Sequence, residues 1–223
     1  MRNGLPSGRV VVVSPHLDDA VFSLGTTIAA AVRAGGEVRV LTVFAGNPDS
    51  DAPAGDWDSA TGFRTHGEAA RARREEDRRA CAAVGATPEW LPFPDSQYGA
   101  SATDEQLWAP VAEAAENADC VLVPGFPLVH PDHARLNELV LRRGLPGHAR
   151  LGLYVEQPYA WRGKQPPPTS LPWQRLGGGR ADRRAKRAAF RAYRSQLPMF
   201  GIQPRLRLAL HEARRGGEAL AWL

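Results

Sequence analysis

Two apolar segments separated by a stretch of helix length set the start of the fold. Residues 9–14, RVVVVS, contain a continuous valine run, which is typical of a parallel strand covered on both faces. Residues 20–34 have helical character and stop at two glycines, and residues 37–46, EVRVLTVFAG, alternate like a second strand. This order predicts a β-α-β unit with a right-handed crossover.

The rest of the chain repeats the alternation. We therefore expect one Rossmann-like α/β domain over residues 1–223, with a mostly parallel sheet and helices on both faces. Further helices are predicted at about 67–84, 104–117, from near 133, and 182–196, and further strands at 89–93, 119–124 and 150–156. Segments 46–66 and 161–179, rich in Gly, Pro and polar residues, are predicted to be lid or substrate loops.

The composition is that of a globular protein without a disulfide framework. The hydrophobic share of 43% is that of an ordinary globular chain, and Cys81 and Cys120 cannot build a disulfide framework. Without a long apolar segment, we expect a cytoplasmic protein that makes no membrane contact. The net charge of +4 reflects two arginine-rich stretches, 71–79 and 180–194, which are typical of solvated helix faces. We expect no nucleic-acid partner; a homo-oligomer is compatible with the sequence.

Polar side chains cluster where predicted strands end. The valine strand runs into Pro-His-Leu-Asp-Asp at 15–19, the strand at 119–124 leads to His-Pro-Asp-His at 130–133, and the strand at 89–93 leads to Asp95. In open α/β sheets, ligands bind outside the carboxyl ends of the strands. The side chains expected to converge there are His16, Asp18, Asp19, Asp95, His130, Asp132 and His133.

Imidazole and carboxylate together suit a divalent transition metal. A catalytic zinc ion has three protein ligands and one open position, and a spare carboxylate beside it can take a proton from water. The residues alone leave other interpretations open, because an Asp pair can simply cap a helix and histidines at a helix start can lie on the surface. His66, His148 and His211 are predicted to be ordinary surface residues.

The two motifs resemble those of the PIG-L/LmbE-like family of zinc-dependent N-deacetylases. That family includes deacetylases of N-acetylglucosaminyl-phosphatidylinositol, of mycothiol and bacillithiol synthesis, and of antibiotic sugars. Four weaker segments extend the resemblance over about residues 10–196: RREEDRRACAAVG (73–85), PFPDS (92–96), LYVEQPYA (153–160) and KRAAFRAYRSQ (186–196).

The resemblance implies a metal centre and a base. His16, Asp19 and His133 would be the ligands of Zn²⁺, although Fe²⁺ or another divalent ion fits the same donors. Asp18 would be the general base that activates water.

The resemblance also implies roles around the metal centre. His130 would donate a hydrogen bond to the oxyanion of the tetrahedral intermediate, or polarise it. Asp132 would orient His130 or His133. Arg73 and Asp95 match positions that hold substrate groups in the family. Ala20 stands where many members have Glu, and this difference weakens the inference of any particular substrate from the family.

The expected activity is hydrolysis of an amide. We expect the enzyme to remove an N-acetyl or other N-acyl group from an amino sugar or sugar-containing small molecule. Secondary metabolism, or thiol and glycoconjugate metabolism, would use such a reaction. The alternative is an amidase that acts on a thiol conjugate or a non-sugar amide with the same zinc chemistry.

Overall fold

The computed structural model describes residues 5, 7–99, 102–160, 167–197 and 218–223. The described strands are β1 (Arg9–Ser14), β2 (Glu37–Thr42), β3 (Thr87–Trp90), β4 (Cys120–Phe126), β5 (Arg150–Val155), β6 (Gln174–Arg175) and β7 (Ala219–Trp222). The described α-helices are α1 (Asp19–Arg33), α2 (Asp56–Ala60), α3 (His66–Val84), α4 (Asp104–Glu116), α5 (Pro131–Arg143) and α6 (Arg180–Phe190).

The strands form one seven-stranded sheet in the order β3-β2-β1-β4-β5-β7-β6. The first five strands in this order are parallel, whereas β7 runs antiparallel to β5 and β6 antiparallel to β7. The predicted α/β class and mostly parallel sheet are therefore confirmed. The direction in which strands are added reverses between β1 and β4, and such a switch point opens a crevice at the carboxyl ends of the strands.

The valine run of β1 is buried on both faces. Val10 and Val12 belong to the core that the sheet forms with α1, α3 and α6. Val11 and Val13 belong to the core on the other face, which α4 and α5 cover. Two covered faces explain why this strand is a continuous apolar run rather than an alternating one.

Local signals fix the ends of the helices. The Thr65 side chain accepts the N–H of Glu68 at the start of α3, and Gly85 ends that helix with a φ of 80°. Glycine takes this left-handed conformation without steric cost. Thr103 and Gln106 form a reciprocal capping box at the start of α4.

Some predicted boundaries are wrong by several residues. The second strand ends at Thr42 rather than at residue 46, and the strand predicted at 89–93 lies at Thr87–Trp90. The helix predicted to reach residue 196 ends at Phe190 and continues as turns. The loop 46–66 contains the short helix α2, and β6 lies within 161–179, of which residues 161–166 fall outside the described part.

The prediction for His66 is also wrong. Its exposure is 6%, and its ring stacks on Tyr98 with 4.1 Å between ring centroids. His148 is exposed, as expected, and His211 lies outside the described residues. Cys81 and Cys120 are both free and buried. None of the helices in the described ranges combines the length and the apolar character that crossing a bilayer requires.

A buried carboxylate joins the last strand to two helices. Glu218, just before β7, accepts the backbone N–H groups of Thr26 and Thr27 at 2.8 and 2.7 Å. Its other partner is the Lys186 ammonium group of α6, 2.7 Å away, and both side chains are about 3% exposed. Gly25 gives the stem of Lys186 room to cross α1, because a Cβ there would lie 2.8 Å from Lys186 Cγ.

We predict that Glu218→Gln lowers the free energy of unfolding by about 3–5 kcal/mol, since it removes the charge of a buried carboxylate that pairs with the Lys186 ammonium group. Urea denaturation measures this change. Glu113→Gln is the matched control, because Glu113 is exposed and has no ion pair with another described residue. Equal stability of the two variants would contradict a structural role for the Glu218 contacts.

Candidate functional site

Two segments that follow adjacent strands bring the predicted motifs together. His16 and Asp19 follow β1, whereas His130 and His133 follow β4, and β1 pairs with β4 in parallel at the switch point of the sheet. The sequence separation of more than a hundred residues is therefore bridged by one strand pairing. Both motifs lie at the edge of the sheet where α/β proteins bind their ligands.

Three side-chain atoms form a nearly equilateral triangle there. Asp19 Oδ2 lies 3.2 Å from His16 Nδ1 and 3.1 Å from His133 Nε2, and the two nitrogens are 3.1 Å apart. Two donor atoms of one tetrahedral zinc ion, each bonded at about 2.0–2.1 Å, are about 3.3–3.4 Å apart. The triangle thus has the size of one face of a tetrahedral metal site, and these residues fit a divalent ion.

Carboxylates hold the outer nitrogen of each of these imidazoles. His16 Nε2 lies 3.0 Å from Asp132 Oδ2, and His133 Nδ1 hydrogen-bonds to Glu156 Oε1. Asp132 is fixed in turn by the backbone N–H of Ser96, 3.0 Å away. In metal sites such partners fix the tautomer and leave the other ring nitrogen free to coordinate.

The contacts of Asp132 and Glu156 differ from the sequence-based expectation. Asp132 was expected to orient His130 or His133, but its short contact is to His16, and His130 Nδ1 lies 3.7 Å away. Glu156 received no role, although it is fully buried and follows β5, the neighbour of β4. Two signals could have identified it: its position at a strand carboxyl end and its place in the LYVEQPYA segment of the family resemblance.

The neighbouring carboxylates raise the pKa values of both imidazoles of the triangle. Burial by itself would lower the pKa of His16, but hydrogen bonds to Asp132 and Asp19 outweigh it and raise that pKa to about 10. Burial would likewise lower the pKa of His133. The charge of Asp19 and the hydrogen bonds to Asp19 and Glu156 outweigh burial and raise that pKa to about 9. Three electron-rich atoms this close together require protons or a cation between them.

Asp18 is positioned differently from its neighbour. It occupies the N-cap position of α1, yet its side chain makes no capping hydrogen bond to the described N–H groups of that helix. The hydroxyl of Ser14 instead accepts the Ala20 N–H at 3.0 Å. Burial, followed by the charge of Asp19, raises the pKa of Asp18 to about 8. This carboxylate is therefore not used as a helix cap, and it lines a cavity beside the triangle.

His130 is held as a neutral hydrogen-bond donor. Its Nδ1 accepts the backbone N–H of Asp132 at 3.3 Å, so the proton of the neutral ring sits on Nε2. Burial and the charges of His16 and His133 lower the pKa of His130 to about 4. Ring nitrogens of His16, His130 and His133 also lie within 4.8 Å of one another, which makes a three-histidine set a second candidate for metal binding.

The cavity beside these residues has a volume of about 300 Å³ and contains both predicted substrate residues. Arg73 pairs with the Asp58 carboxylate and donates to Thr61 Oγ1 at 3.3 Å, while its buried Nε has no hydrogen-bond partner among the described residues. Asp95 accepts the backbone N–H and the side-chain amide of Gln97 at 3.2 and 2.8 Å. Both side chains are therefore held in place at the cavity wall.

Helix α2 contributes an aromatic side chain to the same cavity. Trp57 is 39% exposed, and its indole N–H donates to Gln196 Oε1, 3.2 Å away. The neighbouring Ser195 is fastened to α3, because its N–H and hydroxyl both donate to Glu76. The indole thus spans part of the cavity between two anchored segments.

Comparison with known proteins agrees with this geometry. Residues 11–143 match the family described as PIG-L: GlcNAc-PI de-N-acetylase. The chain is 30% identical over 179 residues to the 2'-N-acetylparomamine deacetylase of Streptomyces fradiae, an alignment that covers 72% of this chain. It spans only 61% of the length of that relative.

Two solved structures share the fold over nearly their full length. The A40926 pseudoaglycone deacetylase Dbv21 superposes with a TM-score of 0.75 at 27% identity, covering 96% of each chain. A triple mutant of the deacetylase Orf2, from the teicoplanin biosynthetic pathway, superposes with a TM-score of 0.81 at 25% identity, covering 96% of this chain and 97% of the other.

We predict that divalent-metal binding releases protons and strengthens as the pH rises. With pKa values of about 10 and 9, His16 and His133 are both protonated at neutral pH when no metal is bound, so an ion must displace their protons. Displacing two protons raises the association constant by about 100-fold per pH unit. Calorimetric titration with zinc in buffers of different ionisation enthalpy counts the protons, and pH-independent binding would contradict the triangle.

Proposed function

Because this chain belongs to the PIG-L family of GlcNAc-PI de-N-acetylases, we propose that it is a metal-dependent N-deacetylase acting on an acylated amino sugar of a small molecule. The observation that carries the proposal is the triangle of His16, Asp19 and His133 beside the uncommitted carboxylate of Asp18. The relatives described above are named for deacetylation of a paromamine derivative and of antibiotic intermediates, which supports an amino-sugar substrate from secondary metabolism.

We assign the metal to His16 Nδ1, Asp19 Oδ2 and His133 Nε2. Nitrogen and oxygen donors at this spacing suit Zn²⁺, and Fe²⁺ or another divalent ion fits the same set. Asp19 is preferred over His130 as the third ligand, because the Nδ1 of His130 already accepts a backbone N–H. When bound, a divalent ion supplies Lewis acidity, which acidifies water and polarises an acyl oxygen.

Asp18 is the proposed general base. Burial, followed by the charge of Asp19, raises the pKa of Asp18 to about 8, so near neutral pH this carboxyl group can both take up and give back a proton. The carboxylate accepts a proton from the attacking water and returns it to the leaving nitrogen. Proton return is required because an amide nitrogen is a poor leaving group until it is protonated.

His130 is the proposed donor to the oxyanion. Its low pKa keeps the imidazole neutral, and the hydrogen bond at Nδ1 leaves Nε2–H available for a substrate oxygen. A fixed donor of this kind stabilises the charge that develops on the acyl oxygen in the transition state. Asp132 and Glu156 keep the other two imidazoles in position, so neither carboxylate needs to exchange protons with substrate.

Arg73, Asp95 and Trp57 are proposed to hold the sugar. Arg73 lines the cavity and its guanidinium group can donate to a substrate oxygen, and the Asp95 carboxylate can accept from hydroxyl or amine groups. The Trp57 indole offers a flat apolar face, which suits the face of a pyranose ring.

A substrate panel tests the proposed function. Purified protein loaded with zinc is incubated with N-acetylglucosamine, its glycosides, N-acetylated aminoglycoside precursors, and amides of thiol conjugates and of non-sugar amines. Release of acetate and free amine from at least one amino sugar is expected, with none after metal removal by a chelator. Hydrolysis of only the non-sugar or thiol-conjugate amides would replace the amino-sugar proposal, and no hydrolysis of any amide would reject it.

We predict that Asp18→Asn lowers kcat by about 10²–10⁴, the range expected on losing a general base, while zinc content is unchanged. Steady-state kinetics together with metal analysis of the same sample gives both quantities. Asp49→Asn, on the exposed part of the loop 46–66, is the control and should keep the wild-type rate. Full activity of the Asp18 variant would remove this residue from the mechanism.

We predict that Trp57→Ala raises KM by roughly 3- to 10-fold and changes kcat less, because an aromatic contact contributes about 0.5–1.5 kcal/mol to binding. The matched control is Trp173→Ala, since Trp173 lies outside the cavity lining and its indole N–H donates to the Pro168 carbonyl. If both variants have the same KM as wild type, Trp57 does not contact the sugar.

A further inference from the structure

One face of α6, continued by its C-cap residue Arg191, carries a row of arginines that the proposed chemistry does not use. Arg180, Arg184, Arg187 and Arg191 follow one another at intervals of four, three and four residues, and all four are exposed. At 100° per residue they fall on one narrow strip of the helix surface, about 16 Å long. We call these four residues the arginine stripe; none of them lines the cavity.

The arginine stripe has no carboxylate partner within 4.0 Å in the described part of the chain. The one acidic residue of α6, Asp182, is buried and binds Arg33 of α1 at 2.7 Å. Other arginines of the described chain are matched with acids in part. Those ion-paired arginines include Arg33, Arg39, Arg73, Arg78, Arg135, Arg142 and Arg143.

The arginine-rich helix α3 shows the contrast most clearly. Arg78 and Arg79 are exposed there, yet both contact Glu75, at 2.7 and 3.6 Å. In α6 the same kind of residue repeats at helical spacing with no acid on the same face, an arrangement that destabilises a helix. The four charges of the arginine stripe equal the whole net charge of +4, so the remaining sequence is electrically balanced.

We propose that the arginine stripe is a docking surface for a carboxylate-bearing helix of a partner protein. Successive arginines are about 5–6 Å apart, which is also the spacing of Asp or Glu side chains three and four residues apart on a second helix. The guanidinium group pairs with carboxylates through two parallel hydrogen bonds, so a helix with acids in this register engages all four positions.

Other polyanions fit the surface less well. The exposed residues beside the arginine stripe in α6 are Ala181 and Ala188, which offer none of the hydroxyl or amide groups that commonly grip a nucleic-acid backbone. They also offer none of the large apolar side chains with which basic helices insert into membranes. Small alanines instead leave room for a second helix to approach.

A register-matched peptide tests the proposal. The probe is a fluorescent alanine-based helix with glutamates at intervals of four, three and four residues, compared with an isomer whose glutamates are five residues apart. Anisotropy is measured on the full-length protein at about 0.01 M salt, where screening is weak. We expect the matched peptide to bind about tenfold more tightly than the isomer.

Paired variants assign that binding to the arginine stripe. Arg184→Gln with Arg187→Gln should weaken binding of the matched peptide by about tenfold, and Arg180→Gln with Arg191→Gln should do the same. The control, Arg78→Gln with Arg79→Gln on α3, removes the same charge and should change binding less than about twofold. Thermal unfolding checks that each variant is folded.

Three results would overturn the proposal. Equal binding of the two peptides, or no binding, would show that the arginine stripe does not recognise the spacing of glutamates on a helix. Equal losses in the α3 and α6 variants would show that only net charge matters. Tighter binding of a 12-base-pair DNA duplex, or of vesicles of phosphatidylglycerol and phosphatidylcholine, would assign the surface to phosphate groups instead.

Discussion

The convergence of three electron-rich atoms is the constraint around which the site is built. His16 Nδ1, Asp19 Oδ2 and His133 Nε2 lie within 3.2 Å of one another, an arrangement that is unfavourable without positive charge between them. The sheet enforces this closeness, because β1 and β4 pair in parallel and release both motifs at the same edge. Protons or a cation relieve the repulsion, so the geometry that suits a divalent ion also raises the pKa of both imidazoles.

The carboxylates around this triangle have separate roles. Asp132 and Glu156 are engaged with the outer imidazole nitrogens, and Asp19 lies between the inner ones. Asp18 alone of the four is free of such a contact among the described residues, although it is the immediate neighbour of Asp19. Adjacent residues at a helix start point in different directions, so in the proposed mechanism one dipeptide supplies both a ligand and a base. This division underlies the proposed hydrolysis.

The sequence was most informative where one local rule decides the outcome. A valine run without alternation predicts a strand buried on both faces, and the carboxyl ends of parallel strands predict where polar motifs meet. The convergence of His16 with His133 follows from these two rules. The antiparallel strands β6 and β7 were harder to predict, because short strands paired by long-range contacts have no periodicity of their own.

Individual side-chain partners were not predictable from the sequence. Glu156 looked like the end of a strand, and only the position of β5 beside β4 brings its carboxylate to His133. Asp132 was expected to hold a neighbour in its own motif, but the turn into α5 directs it across the site to His16. His66 was expected on the surface, and it is buried because the chain at Tyr98 folds over it. Each of these outcomes depends on contacts between distant segments.

The anchoring of α2 has a consequence for how molecules enter and leave the site. Asp58, at its centre, is almost completely buried and is bound by both Arg73 and the Tyr98 hydroxyl. Lifting this helix away from the cavity would expose a buried ion pair, which opposes its displacement. The same anchoring holds Trp57 at the cavity, so exchanging the exposed residues of this short helix should alter which molecules are admitted while leaving the reacting groups untouched.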